Sequence, residues 1–240
     1  MSLEKTLVLF PGAWGNETER HARWFFQHVI AYFKDWNIVV LHYEGDTLEE
    51  HIDGCIKQLR GVSNGAFAIC YSMGAQVARG VAQKRPDLFI KVGLISGLER
   101  IGVRFWTTVK AILAAPGPIL ASLFGKPVQL RTVKQFQKIM MAGPDTDRLK
   151  LAKYVLKKVM HPQKAKPALK VFLPLYKRRM EPLPCPVMAI CPEDDLFMRG
   201  VTYDGEDVRI VRPGGDHSFL FESKRHINSY LQQIEDWMRS

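Results

Sequence analysis

A chain of 240 residues allows one large domain or two small ones, and 47% hydrophobic against 24% charged residues excludes a disordered polymer. Four thinly spread cysteines, Cys55, Cys70, Cys185 and Cys191, exclude a disulfide scaffold and read as buried thiols of a reducing compartment. The net charge of +10 is uneven: residues 101–180 carry 17 Lys and Arg against two acidic residues, a net of +15, while the other 160 residues net −5.

Residues 1–6 are polar and the apolar run 7–10 is too short for a secretory signal, so a cytoplasmic location is expected. The longest apolar stretch, 111–124, contains Pro116 and Pro118 and falls short of the roughly 20 residues that span a bilayer. It can lie on a membrane surface but not cross one.

The first predicted strand is 6–10, closed by Pro11-Gly12. Helical spacing follows over 17–33, with Trp24, Phe25, His28, Val29 and Phe33 largely on one side. A second strand is predicted over 37–42, then a turn at Glu44-Gly45-Asp46. A helix starts at Thr47, which has the spacing of a capping box with Glu50 and is followed by Ile52, Ile56 and Leu59 at helical intervals. The continuous apolar run 66–71 predicts a central strand buried on both faces. Ser72-Met73-Gly74 interrupts it, a helix rich in small residues runs to Pro86, and 89–96 predicts another strand.

The pattern is then lost over 98–182, where helical stretches are separated by prolines. This segment is expected to be a helical insert that divides a core made of 1–97 and 183–240. Strand character resumes at 186–191 and 207–211, and an amphipathic helix is predicted over 222–238. Short β-branched runs alternating with amphipathic stretches indicate an α/β fold, a mostly parallel sheet flanked by helices.

One junction stands out for chemistry. The run Ala66-Phe-Ala-Ile-Cys-Tyr71 passes through a single serine, Ser72, into Met73-Gly74-Ala75. A tight strand-to-helix turn of this kind needs small residues two positions either side of the serine. Gly74 meets that need downstream, and Cys70 stands upstream where glycine is usual. Later in the chain, the strand 186–191 is followed by Pro192-Glu193-Asp194-Asp195, and the strand 207–211 leads into Pro213-Gly214-Gly215-Asp216-His217. Open α/β sheets place their sites at such strand ends. Singly, Ser72 reads as a helix N-cap, Asp194 as a turn residue and His217 as a loop histidine. As an ordered set, serine, acid and histidine match the nucleophile-elbow order.

On these residues the sequence resembles the α/β-hydrolase family over essentially its whole length, with the basic insert where that family carries its cap. The resemblance implies a serine esterase, lipase or thioesterase that works through an acyl-enzyme. Ser72 would be the nucleophile, His217 its base and Asp194 the acid that orients and stabilises the imidazole. In the family the acid commonly stands three residues after a small strand-ending residue. Cys191 takes that place here, which selects Asp194 over Asp195, with Glu193 third. The oxyanion donors would be the amide of Met73 and one from the loop after the first strand. Pro11-Gly12 stands where the family often has His-Gly, which leaves Ala13 as donor and Trp14 as a wall of the acyl pocket, or the two exchanged.

Neither Cys-x-x-Cys nor His-Glu-x-x-His occurs, and no phosphate-binding glycine motif follows the first strand, so no metal or cofactor is expected. Within the insert, Phe105 and Trp106 begin an apolar set suited to an acyl chain or to packing on the sheet. The basic residues beyond them suit an anionic membrane surface or an acidic carrier such as coenzyme A or an acyl carrier protein. Nucleic acid is not expected, because no reading motif accompanies the charge. The competing readings are an acyl ester hydrolase, a carrier-linked thioesterase and a non-catalytic binding protein on the same fold.

Overall fold

The computed structural model describes residues 5–12, 18–97, 181–193, 195, 208–212, 214 and 224–240. Their strands are β1 (Thr6–Phe10), β2 (Asn37–Val40), β3 (Ala66–Tyr71), β4 (Phe89–Ile95), β5 (Val187–Ile190) and β6 (Val208–Val211). They form one sheet in the order β2-β1-β3-β4-β5-β6, with every described pair parallel. The helices are α1 (Glu19–Phe25), α2 (Gln27–Tyr32), α3 (Leu48–Gln58), α4 (Gly74–Lys84) and α5 (Lys224–Arg239).

The continuous apolar runs hide a period of two. Leu7, Leu9, Phe67, Ile69, Tyr71, Met188 and Ile190 face one layer, where α1, α2, the Phe26 junction between them and α5 supply Phe25, Phe26, Val29, Ile227, Leu231 and Ile234. Val8, Phe10, Ala66, Ala68, Cys70, Val187 and Ala189 face the other, against Ile52 and Cys55 of α3 and Ala75, Ala78 and Val81 of α4. The second face of β3 carries only small side chains, which lets α4 lie close to the sheet.

The layers also fix where the strand ends open. The chain leaves β1 toward the α1/α2 face and leaves β3 toward the α4 face, yet β1 and β3 are hydrogen-bonded neighbours. A crevice is therefore expected between their C-terminal ends, at the point where the winding reverses.

Several predicted boundaries shift for local reasons. The single helix predicted over 17–33 is two short helices meeting at Phe26, whose backbone (φ −96°, ψ 18°) departs from the helical range. Phe25 and Phe26 are both buried, and consecutive residues on a regular helix point about 100° apart, so the break turns both rings inward. The second strand stops at Val40 rather than 42, because the side chain of Gln58 takes over His42: its Oε1 accepts from the His42 amide and its Nε2 donates to the His42 carbonyl. The capping box at Thr47 and Glu50 is present as expected. The expected insert lies outside the described residues except for Glu181 and Pro182. Among the described residues no helix is long and apolar enough to cross a membrane.

Candidate active site

Ser72 follows β3 directly and has φ +51°, the left-handed region that non-glycine residues rarely occupy. Holding a serine there costs on the order of 1–2 kcal/mol, so the surroundings must enforce it. They do so from both sides. Its amide donates to the Ile95 carbonyl at 3.1 Å, and its carbonyl accepts from Ala75 at 3.1 Å as the first bond of the helical turn. The N-cap of α4 falls on Met73, so Ser72 is not the capping residue of that helix. The amides of Met73 and Gly74 precede the helical ladder, at the end where a helix attracts developing negative charge.

Two glycines make the close approach that this turn needs. A Cβ on Gly74 would lie 2.3 Å from the Phe10 carbonyl oxygen and 2.7 Å from that of Pro11, so no other residue fits between α4 and the end of β1. A Cβ on Gly12 would lie 2.8 Å from the Tyr71 ring and 3.3 Å from the Ser72 Cβ. Pro11-Gly12 therefore sits against the serine turn. Cys70, which stands where the resemblance has glycine, is fully buried toward α4, and burial pushes its thiol well up from its ordinary range.

Beside Pro11 lies a group that the sequence did not single out. The buried hydroxyl of Tyr43 donates to the Pro11 carbonyl at 2.7 Å. The ring stacks on His51 at 5.1 Å between centroids, and His51 donates from Nδ1 to the Glu44 carbonyl at 3.0 Å. Burial raises the Tyr43 phenol and lowers the His51 imidazole, so both are neutral at pH 7. Nothing in residue spacing marks Tyr43, because its partner is 32 residues away.

The other strand ends lie along the same edge. Ser96 donates its amide to Ile190 at 2.9 Å, and Cys191 donates to Val211 at 2.8 Å. After β5, Cys191 and Pro192 are buried, Glu193 is exposed and Asp195 is fully buried. Asp194, His217, Ala13, Trp14, Phe105 and Trp106 lie outside the described residues. Of the expected site, Ser72 and Met73 are described, and both are buried at the turn between β3 and α4.

No protein-family model matches the chain, and no curated protein matches it significantly in sequence. Solved structures do match in shape. A thermophilic esterase from Thermogutta terrifontis superimposes with a TM-score of 0.68 at 13% identity, covering 98% of this chain and 91% of its own. The fold is that of the α/β hydrolases. A carboxylesterase of Nitrososphaera gargenis matches with a TM-score of 0.63 at 16% identity, over 98% of this chain and 91% of that one. A 2-hydroxy-6-oxo-6-phenylhexa-2,4-dienoate hydrolase from a Rhodococcus strain matches with 0.64 at 13%, over 97% and 91%. Esters and a dienoate are different substrates, so the α/β-hydrolase sheet alone does not choose the reaction. The residues at its edge must.

Proposed function

We propose that this protein is a serine hydrolase of carboxylic acyl esters, acting through an acyl-enzyme on Ser72. The observation that carries the proposal is the left-handed backbone of Ser72 between a central strand and a helix N-terminus, with Pro11-Gly12 packed beside it. A helix cap or a surface serine has no need of that strain. The esterases among the structural neighbours support the same reaction class.

In this reading His217 takes the Ser72 proton as the hydroxyl oxygen attacks the ester carbonyl, and Asp194 stabilises the imidazolium. The tetrahedral oxyanion accepts from the Met73 amide and from the segment after β1, with Ala13 as second donor. Collapse expels the alcohol, which takes the proton from His217. Water then repeats the sequence on the acyl-enzyme and frees the acid. Trp14, Phe105 and Trp106 would line the acyl side. Asp195 is a second reading for the acid, favoured by its complete burial at the same strand end.

A panel of p-nitrophenyl esters and acyl thioesters of graded chain length tests the proposal. Ser72→Ala should keep the fold and leave about a thousandth of the activity or less; retained activity would overturn the assignment and favour a non-catalytic role. Asp194→Asn and Asp195→Asn identify the acid by which one costs about 10⁴-fold in kcat. The +15 charge of residues 101–180 supports a further expectation, binding to an anionic partner. Vesicles containing phosphatidylserine should bind the protein at low salt and release it at high salt. Thioesterase activity exceeding esterase activity and falling with salt would instead mark an acidic carrier.

A further inference from the structure

Pro11 supplies the carbonyl before Gly12, which lies against Ser72, and this carbonyl is both hydrogen-bonded and closely packed. The Tyr43 hydroxyl donates to it at 2.7 Å, away from solvent. The start of α4 also comes so near that a Cβ on Gly74 would lie 2.7 Å from the same oxygen. In a trans peptide the carbonyl and the next amide point in opposite directions, so the bond from Tyr43 also sets the direction of the Gly12 amide, away from the phenol. Gly12 in turn rests against Ser72 and Tyr71.

Tyr43 cannot swing to another partner, because it is clamped in its own place. Its ring lies nearly parallel to that of His51, at 24°, and His51 is tied to the Glu44 carbonyl on the same loop. The helix that carries His51 is fixed at its start: Glu50 Oε2 accepts from the Asp46 amide at 2.7 Å and the Thr47 amide at 3.0 Å, and Thr47 Oγ1 accepts from Glu50 at 3.2 Å. A chain of short contacts thus runs from the capping box of α3 to the peptide beside the nucleophile.

We propose that Tyr43 is a positioning residue, whose hydroxyl holds the Pro11–Gly12 peptide in place against the Ser72 turn, where the oxyanion forms. The proposal rests on ester hydrolysis by Ser72. Its physical basis is that donors act on a transition state only when already aimed, and displacements near 1 Å cost about 10²-fold.

The test is Tyr43→Phe in the full chain, which keeps the ring and its stack but removes the donor. On p-nitrophenyl butyrate kcat should fall about 10- to 100-fold with KM changed by less than about twofold, the signature of an interaction made only in the transition state. Affinity for an alkyl boronic acid, which forms a tetrahedral adduct on serine, should fall in parallel. A hydroxyl with a purely structural role would lower the melting temperature and leave kcat and boronate affinity at wild-type values, and that result overturns the proposal. His51→Leu retains the hydroxyl but removes the ring face, and should lower kcat less, in the same direction. If Tyr43→Phe does not fold, unchanged kcat in His51→Leu overturns the proposal in its place. Wild-type protein that neither hydrolyses the ester nor reacts at Ser72 with a fluorophosphonate overturns the ester hydrolase reading itself, and the role of Tyr43 with it.

Discussion

Two serines end adjacent parallel strands in nearly the same conformation, Ser72 after β3 at φ +51° and Ser96 after β4 at φ +46°. Both are buried. Ser72 runs at once into a helix whose first turn is pressed on the end of β1, with Pro11-Gly12 alongside. Among the described residues Ser96 has neither neighbour in that role and its hydroxyl has no hydrogen-bond partner, and a Cβ on the next residue, Gly97, would lie 2.9 Å from the Leu94 Cβ and 3.3 Å from that of Ala75. The Ser96 turn is thus a buttress under the first turn of α4. A strained serine becomes a candidate nucleophile only where helix amides and a second backbone segment converge on it.

The largest expected effect comes from glycine at each serine. Ser72→Gly should abolish ester hydrolysis by about three orders of magnitude or more, whereas Ser96→Gly should leave kcat within about twofold. Both should melt higher, since glycine relieves about 1 kcal/mol of left-handed strain, worth about 2–4 °C in a chain of this size. Equal losses of activity at the two sites would erase the distinction.

Alanine at the following glycines probes the packing. At Gly74 the added methyl meets backbone oxygens that cannot retreat, so Gly74→Ala should cost about 3 kcal/mol and lower kcat about 100-fold. Gly97→Ala meets side-chain carbons and should cost about 1 kcal/mol with little change in kcat. Chemical melts and ester kinetics on the same samples read both.

A smaller contrast concerns pH. Burial lowers the His51 imidazole, so the folded state prefers its neutral form while the unfolded chain takes up a proton near pH 6.5. The stability this contributes is complete above about pH 6.5 and is lost as pH falls through the lower folded value. Thermal melts between pH 7.5 and 5 should therefore be less acid-sensitive in His51→Phe than in the wild type. Ser96→Gly should keep the wild-type slope.

The smallest effect concerns the thiol two residues before Ser72. Burial pushes Cys70 well up and Cys185 to about 11. Cys185, the half-buried one, should react first with iodoacetamide at pH 8, and activity should survive that modification. Early loss of activity with labelling at Cys70 would assign the chemistry to sulfur.

Much of this architecture is written in local features of the amino-acid sequence. The strand at 6–10, the run 66–71, the capping box at Thr47 and the serine junction all announce themselves through local signals: a short apolar run closed by Pro-Gly, a cap spacing of three, a strand meeting a helix without a loop. The break at Phe26 and the early end of β2 were not legible. They depend on burying two adjacent rings and on a glutamine reaching back from α3.

The amino-acid order by itself determined where the described strands and helices fall, apart from their exact ends and the break at Phe26, and that a serine stands where β3 turns into α4, because periodicity and turn chemistry act between near neighbours. Only the tertiary structure decided that β1 and β3 lie side by side, that α4 touches backbone at Gly74, and that Tyr43 grips Pro11. Those contacts join residues tens of positions apart, and their energies exist only once the sheet has brought the partners within reach.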